Sequence, residues 1–156
     1  MSNSRRKFLI GAVALAATRK AAAEEKSSPR KYDEHVRDLL SAGLKDAFQN
    51  QVAHIFITWM KDDARQPERA RNGVQTAMAN FQLARFELGV ELATVQEFGN
   101  MLREALDTGF TNYMEGVFRT VMYESGKRKG EVRILRDKAV NAYLHAHKAV
   151  DSFVST

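Results

Sequence analysis

Apolar side chains recur at intervals of three and four residues along most of the chain after residue 32, which is the spacing of an amphipathic α-helix. Only two prolines occur in 156 residues, and no two apolar runs are joined by a hairpin turn signal. The pattern therefore predicts an all-α fold, an up-and-down helical bundle of four to five helices that forms a single domain over residues 32–156.

Turn and capping residues divide this domain into helices. The helical spacing covers residues 32–61, 66–94, 110–126 and 131–153, with a bend expected near Gly43. Thr94-Val95-Gln96-Glu97 matches a capping box, so residues 95–106 form a fifth helix or continue the second. Asp107-Thr108-Gly109 is the clearer break and is predicted to separate two helices.

Two stretches are more apolar than one buried helix face requires. The segment 55–60 is apolar almost all round, and the helix after Pro67 carries a second apolar stripe beside its main one. Such residues are core if they pack inside one bundle, and an interface if they reach the surface. The candidate interface residues are Ile55, Phe56, Ile57, Trp59, Met60, Leu83, Phe86 and Val90. Trp59 and Phe86 are the expected anchors, because aromatic side chains dominate interface energetics.

The first residues of the chain follow a different pattern. Arg5, Arg6 and Lys7 precede Phe8 and Leu9, which open an apolar segment ending at residue 18. Such a segment reaches only about 16 Å, roughly half of a bilayer core, so it is too short to span a membrane. Small residues follow at positions 21–23, as signal peptidase cleavage requires.

Residues 4–23 as a whole resemble the leader of the twin-arginine export pathway, through the Arg5-Arg6 pair and the Phe8-Leu9 start of the apolar segment. The resemblance implies a signal peptide over residues 1–23, followed by a polar linker over 24–31. It also implies contact with the twin-arginine translocase during export, and a final location in the periplasm of a bacterial envelope. Membrane contact is not expected after cleavage.

The leader accounts for the basic character of the chain. The whole sequence has 24 basic and 19 acidic residues, and five of the basic residues but none of the acidic ones lie in positions 1–23. The mature chain therefore has 19 of each and a formal net charge of zero. Generic nucleic-acid binding loses its main support, because it depends on an excess of Lys and Arg to neutralise phosphates.

A cluster of basic residues, Lys127, Arg128 and Lys129, lies in a predicted loop between Gly126 and Gly130. Such a cluster is typical of a solvated loop, and it is also the candidate contact for an anionic partner.

No catalytic or metal-binding motif is present. The chain has no cysteine, which excludes thiolate-ligated clusters and a cysteine nucleophile. His145 and His147 are two positions apart, which places them on opposite sides of a helix and prevents them from chelating one ion. No set of residues identifies a cofactor, and no catalytic residue is predicted.

These observations favour a non-enzymatic, exported helical-bundle protein that acts through protein–protein contacts, as an accessory subunit or a homo-oligomer. The alternative is a periplasmic carrier that holds a cofactor or ligand inside the bundle. A weaker alternative, a periplasmic chaperone, rests only on size and class.

Overall fold

The computed structural model describes residues 32–61, 66–123 and 129–155, and these form four helices without any strand. The helices are α1 (Glu34–Lys61), α2 (Gln66–Glu87), α3 (Val95–Tyr123) and α4 (Lys129–Val154). The predicted all-α bundle is therefore confirmed, and it has four helices in this part of the chain. The predicted leader and linker, residues 1–31, and the loop residues Lys127 and Arg128 lie outside the described residues.

Contacts between the helices show an up-down-up-down arrangement. Phe48 of α1 meets Phe81 late in α2, while Ile55 lies against Gly73 early in α2, so these two helices are antiparallel. Gln49 donates a hydrogen bond to Glu104 at 2.5 Å, which places the two helices α1 and α3 side by side.

The remaining pairings follow from two contacts between α3 and α4. Arg103 forms an ion pair with Asp151 at 2.5 Å, and Tyr143 donates a hydrogen bond to Asp107 at 2.8 Å. From the first contact to the second, the residue number increases from 103 to 107 in α3 but decreases from 151 to 143 in α4. Helix α4 is therefore antiparallel to α3.

Helix α1 is the central element, because it packs against all three other helices, whereas the backbones of α2 and α3 approach each other at few points. This explains why its second half is apolar almost all round: neighbours cover it from several sides. Phe56, Trp59 and Met60 are almost completely buried there. The structure thus places these three candidate interface residues in the core, where they offer no surface to a partner.

Two groups of three aromatic rings fill the core. Phe48, Phe81 and Phe98 join α1, α2 and α3, with ring centroids 4.9 to 5.7 Å apart. Phe56, Trp59 and Phe153 join α1 to the end of α4 with separations of 6.3 to 6.4 Å. These rings are in the range of favourable aromatic pairing, so they fix how the helices are arranged as well as burying apolar area.

The end of α2 comes earlier than the apolar pattern predicts. Gly89 has a φ of +69°, and Val90 N–H donates to the Arg85 carbonyl, which together form a Schellman C-cap. Val90 therefore lies beyond the helix, and the second apolar stripe predicted for α2 does not reach that far. Gln82 holds the following loop by exchanging two hydrogen bonds of 2.8 Å with the backbone of Ala93.

The predicted capping box begins α3. Thr94 N–H donates to the Glu97 carboxylate at 2.6 Å, and Glu97 N–H donates to the Thr94 hydroxyl at 3.1 Å. These reciprocal bonds satisfy two backbone donors that a helix start leaves unpaired. Residues 95–106 therefore belong to a new helix that begins at the capping box, and they do not continue α2.

The predicted break at Asp107-Thr108-Gly109 is wrong, because α3 continues through it without interruption. Helix α1 is continuous through Gly43, the position near which a bend is predicted. Gly109 is buried against α1, and a Cβ added to it would lie 2.8 Å from the carbonyl oxygen of Ala53. The glycine is thus needed for a close approach of two helix backbones, which costs about 0.5–1 kcal/mol of helix propensity relative to alanine.

No helix in the described ranges combines the length and the apolarity needed to cross a lipid bilayer.

We expect Gly109→Ala to destabilise the fold, because its methyl group has no room between α1 and α3. Overpacking of this kind lowers the free energy of unfolding by about 1–3 kcal/mol, which exceeds what the higher helix propensity of alanine adds. Gly43→Ala is the matched control, since Gly43 lies within α1 and a Cβ there would meet nothing within 4 Å. Urea unfolding followed by circular dichroism should show a lower midpoint for Gly109→Ala and a higher one for Gly43→Ala; equal gains in both would contradict the close approach.

Candidate functional site

The candidate interface residues that remain outside the core are only half-buried. Ile55, Ile57, Leu83, Phe86 and Val90 all fall in this class. Ile55 is packed against α2, with its Cδ1 atom 3.0 Å from where a Cβ of Gly73 would lie. The structure therefore does not unite the predicted residues into one exposed apolar surface. Lys129 begins α4, while Lys127 and Arg128 are outside the described residues.

An exposed apolar surface that the sequence did not predict lies on α3 and α4. A groove of about 950 Å³ runs between these helices, and its apolar lining residues are Phe110, Met114, Phe118, Met122, Tyr123 and Val140. Phe118 is 51% exposed, Met122 82% and Val140 37%. We call this surface the α3–α4 groove.

The exposure of the groove follows from the relative positions of α1 and α3. Gly109 lies opposite Ala53, and α1 ends eight residues later, at Lys61. The corresponding position in α3 is close to Val117, so the last six residues of α3 extend about 9 Å further at 1.5 Å per residue. Phe118 and Met122 belong to this extension, where α1 no longer provides a neighbour.

The charged groups at the rim of the groove are already paired. Arg119 forms an ion pair with Glu115 one turn earlier, and Arg136 forms one with Asp137 at 2.9 Å. All four side chains are about half exposed or more, so each pair contributes little to stability. Their effect on the groove is to make its rim nearly neutral.

One end of the groove is anchored by Tyr143. Its ring packs on Phe110 with centroids 4.6 Å apart, and its hydroxyl donates to Asp107 at 2.8 Å. That hydrogen bond, followed by burial and the negative charge of Asp107, raises the pKa of Tyr143 above the ordinary value of 10.0. Tyr143 is therefore neutral at physiological pH and acts as a hydrogen-bond donor between α4 and α3.

A second concave site lies on another side of α3. It is a cleft of about 490 Å³ between the end of α1, the middle of α3 and the start of α4. Apolar walls and several polar groups line it together: His54, Ile57, Lys61, Asn112, Tyr113, Gly116, Val117, Thr120, Glu131, Val132 and Leu135. The cleft and the groove have no lining residue in common.

The histidines are not brought together. His35, His54, His145 and His147 are all exposed, and His147 lies beside the Tyr143 ring at 5.9 Å. Among the described residues, no three His, Asp or Glu side chains are grouped so as to hold a metal ion.

Comparison of the chain with known protein families, with curated proteins and with solved structures finds no match.

The sequence pattern did not identify Phe118, Met122 or Val140 as candidate interface residues. A signal for the groove is nevertheless present in the pattern. Val140 and Leu144 lie four apart and off the stripe that buries Ala139, Ala142, Ala146 and Val150, and both are exposed. Apolar residues one turn apart outside the core stripe of an amphipathic helix indicate a second apolar strip.

We expect Tyr143→Phe to lower stability at neutral pH, and we expect this difference from the wild type to shrink as the pH rises above about 10. A folded-state pKa above the unfolded value means that Tyr143 contributes stability below pH about 10, and that this contribution is lost as the pH rises through the folded pKa. The unfolding free energy of the wild type should therefore fall more steeply above pH 10 than that of Tyr143→Phe. Parallel curves for the two proteins would show that the Asp107 contact is absent in solution.

Proposed function

We propose that this chain is an exported, non-enzymatic helical-bundle protein that works through protein–protein contact, and that the α3–α4 groove is its contact surface. The observation that carries the proposal is the group of exposed apolar side chains at the end of α3, above all Met122 and Phe118. Apolar area in water is unfavourable by about 25 cal/mol per Å², so a contiguous patch of this kind favours association.

A second copy of the same chain is the occupant that the charges favour. The rim pairs Glu115–Arg119 and Arg136–Asp137 leave no excess of one sign, and the mature chain as a whole has zero formal charge. Two identical neutral surfaces do not repel each other, whereas a strongly charged partner would find no complementary field. A two-fold interface would place the groove of one copy against the groove of the other.

To test this contact surface, Phe118 and Met122 are both replaced by Ser. Because both side chains are exposed, the double variant should fold normally and shift the monomer–dimer equilibrium at least tenfold toward monomer in sedimentation equilibrium. Ile134→Ser is the matched control: Ile134 is 61% exposed on α4 but does not line the groove, so it should dimerise as the wild type does.

Two results would overturn the homo-oligomer proposal. One is a wild type that stays monomeric at high concentration, and the other is a double variant that assembles unchanged. If the wild-type monomer co-purifies from its host with one second chain, and the double variant does not, the groove is the contact surface of an accessory subunit instead.

Export is the second part of the proposal, and it rests on the leader. Arg5 and Arg6, followed by Phe8 and Leu9, support recognition by the twin-arginine translocase, which transports folded proteins. A helical bundle that needs no disulfide suits transport in the folded state, since it completes its core before it crosses the membrane.

Replacement of Arg5 and Arg6 by Lys preserves charge and removes the pair of arginines. In the native host we expect the wild type in the periplasmic fraction, with the mass of a chain that begins near Glu24. We expect the double Lys variant in the cytoplasm, with the mass of the full-length chain. Lys20→Arg alters a basic residue outside the pair and should export normally. Equal export of all three proteins would exclude the twin-arginine route.

A further inference from the structure

The cleft between α1, α3 and α4 has the composition of a small-molecule site. On α1, residues 54, 57 and 61 follow each other by three and four positions, so they form one stripe along its edge. On α3 the same spacing links Tyr113, Gly116 and Thr120. The volume of about 490 Å³ lies within the range of about 300–1,000 Å³ that ligand sites occupy.

Gly116 contributes to this volume by having no side chain. It lies inside α3, where glycine is less favourable than alanine by about 0.5–1 kcal/mol. Unlike Gly109, it is not required by a neighbouring helix, because a Cβ built on it would meet nothing within 4 Å. Any larger side chain at this position would project into the cleft, so the glycine keeps the cleft open at a cost to helix stability.

The walls and the polar groups of the cleft are chemically distinct. Ile57, Val117, Val132 and Leu135 supply apolar surface. Tyr113 is partly buried, which raises the pKa of its hydroxyl and keeps it a neutral hydrogen-bond donor. A ligand that fits these groups has an apolar body and a polar end.

The charges indicate the sign of that polar end. Among the described residues, Lys61 has no ion-pair partner and the His54 side chain has no hydrogen-bond partner. Glu131, which is the acidic residue of the lining, already has an interaction of its own. An ammonium group that has no ion-pair partner within the described ranges, together with imidazole, amide and phenol donors, favours an anionic group that accepts hydrogen bonds.

We propose that the cleft binds a small amphipathic carboxylate, with its apolar chain between α1, α3 and α4 and its carboxylate at Lys61 and His54. This site is independent of the α3–α4 groove, because the two share no lining residue. Loss of binding in the cleft and loss of assembly through the groove can therefore be told apart.

The probes are decanoate and 1-decanol, which differ in the carboxylate but have the same chain length. Calorimetric titration of the full-length protein should show decanoate bound at least tenfold more tightly than decanol. Lys61→Met removes the ammonium group and keeps an apolar stem, so it should weaken decanoate binding at least fivefold and leave decanol binding unchanged.

Gly116→Leu should abolish binding of both probes, because its side chain occupies the cleft. Gly43→Leu is the matched control: Gly43 also lies inside a helix with open space around it, but it is remote from the cleft and should bind as the wild type does. If Gly116→Leu fails to fold, Gly116→Ala serves in its place, with a higher unfolding midpoint and weaker decanoate binding expected.

Three results would overturn the proposal. The first is a folded wild type that binds neither probe. The second is equal affinity for decanoate and decanol with no effect of Lys61→Met, which would make the cleft an apolar cavity without carboxylate recognition. The third is a set of decanoate-induced NMR shifts at Phe118 and Val140 rather than at Tyr113 and Thr120, which would place the ligand in the groove.

Discussion

The close approach of α1 to α3 at Ala53 and Gly109 is the contact on which the rest of the bundle depends. Because Gly109 has no Cβ, the two backbones can meet directly. Any side chain at position 109 would push α1 outward, since its Cβ would lie 2.8 Å from the Ala53 carbonyl oxygen and ordinary contacts are 3.4 Å or longer. Helix α1 also packs against α2 and α4. The position at which it meets α3 therefore sets how all four helices are aligned along the bundle.

Both candidate sites follow from that alignment. With Ala53 opposite Gly109, α1 ends near the level of Val117, and the last turns of α3 continue without it. Phe118 and Met122 remain exposed on one side of this extension. On the other side, the last turns of α1, the middle of α3 and the start of α4 do not pack completely against one another, which leaves the cleft beside Gly116. A shift of α1 by one turn would change the groove and the cleft together.

Much of the fold could be predicted from periodicity, because the inner stripe of α4 and the capping box at Thr94 depend on local spacing alone. The role of Gly109 could not be predicted in this way. A glycine that permits a close helix contact and one that ends a helix look the same in a sequence, and only the helix packed against the glycine distinguishes them. Phe56, Trp59 and Met60 presented a similar ambiguity. An apolar helix surface is core or interface according to how many helices surround it, and that number is a tertiary property.

The candidate sites were harder to predict than the fold, because each combines residues from more than one helix. On α3, residues 113, 116 and 120 face the cleft, while residues 111, 115, 118 and 122 face the groove. Each set has the spacing of one helix face, but it becomes a site only when α4 lies beside it. Since the two sets lie on different faces of one helix and share no residue, α3 presents both surfaces and the residues of each can be replaced separately. The functions proposed for the two faces are thus physically separable, although they share one supporting element.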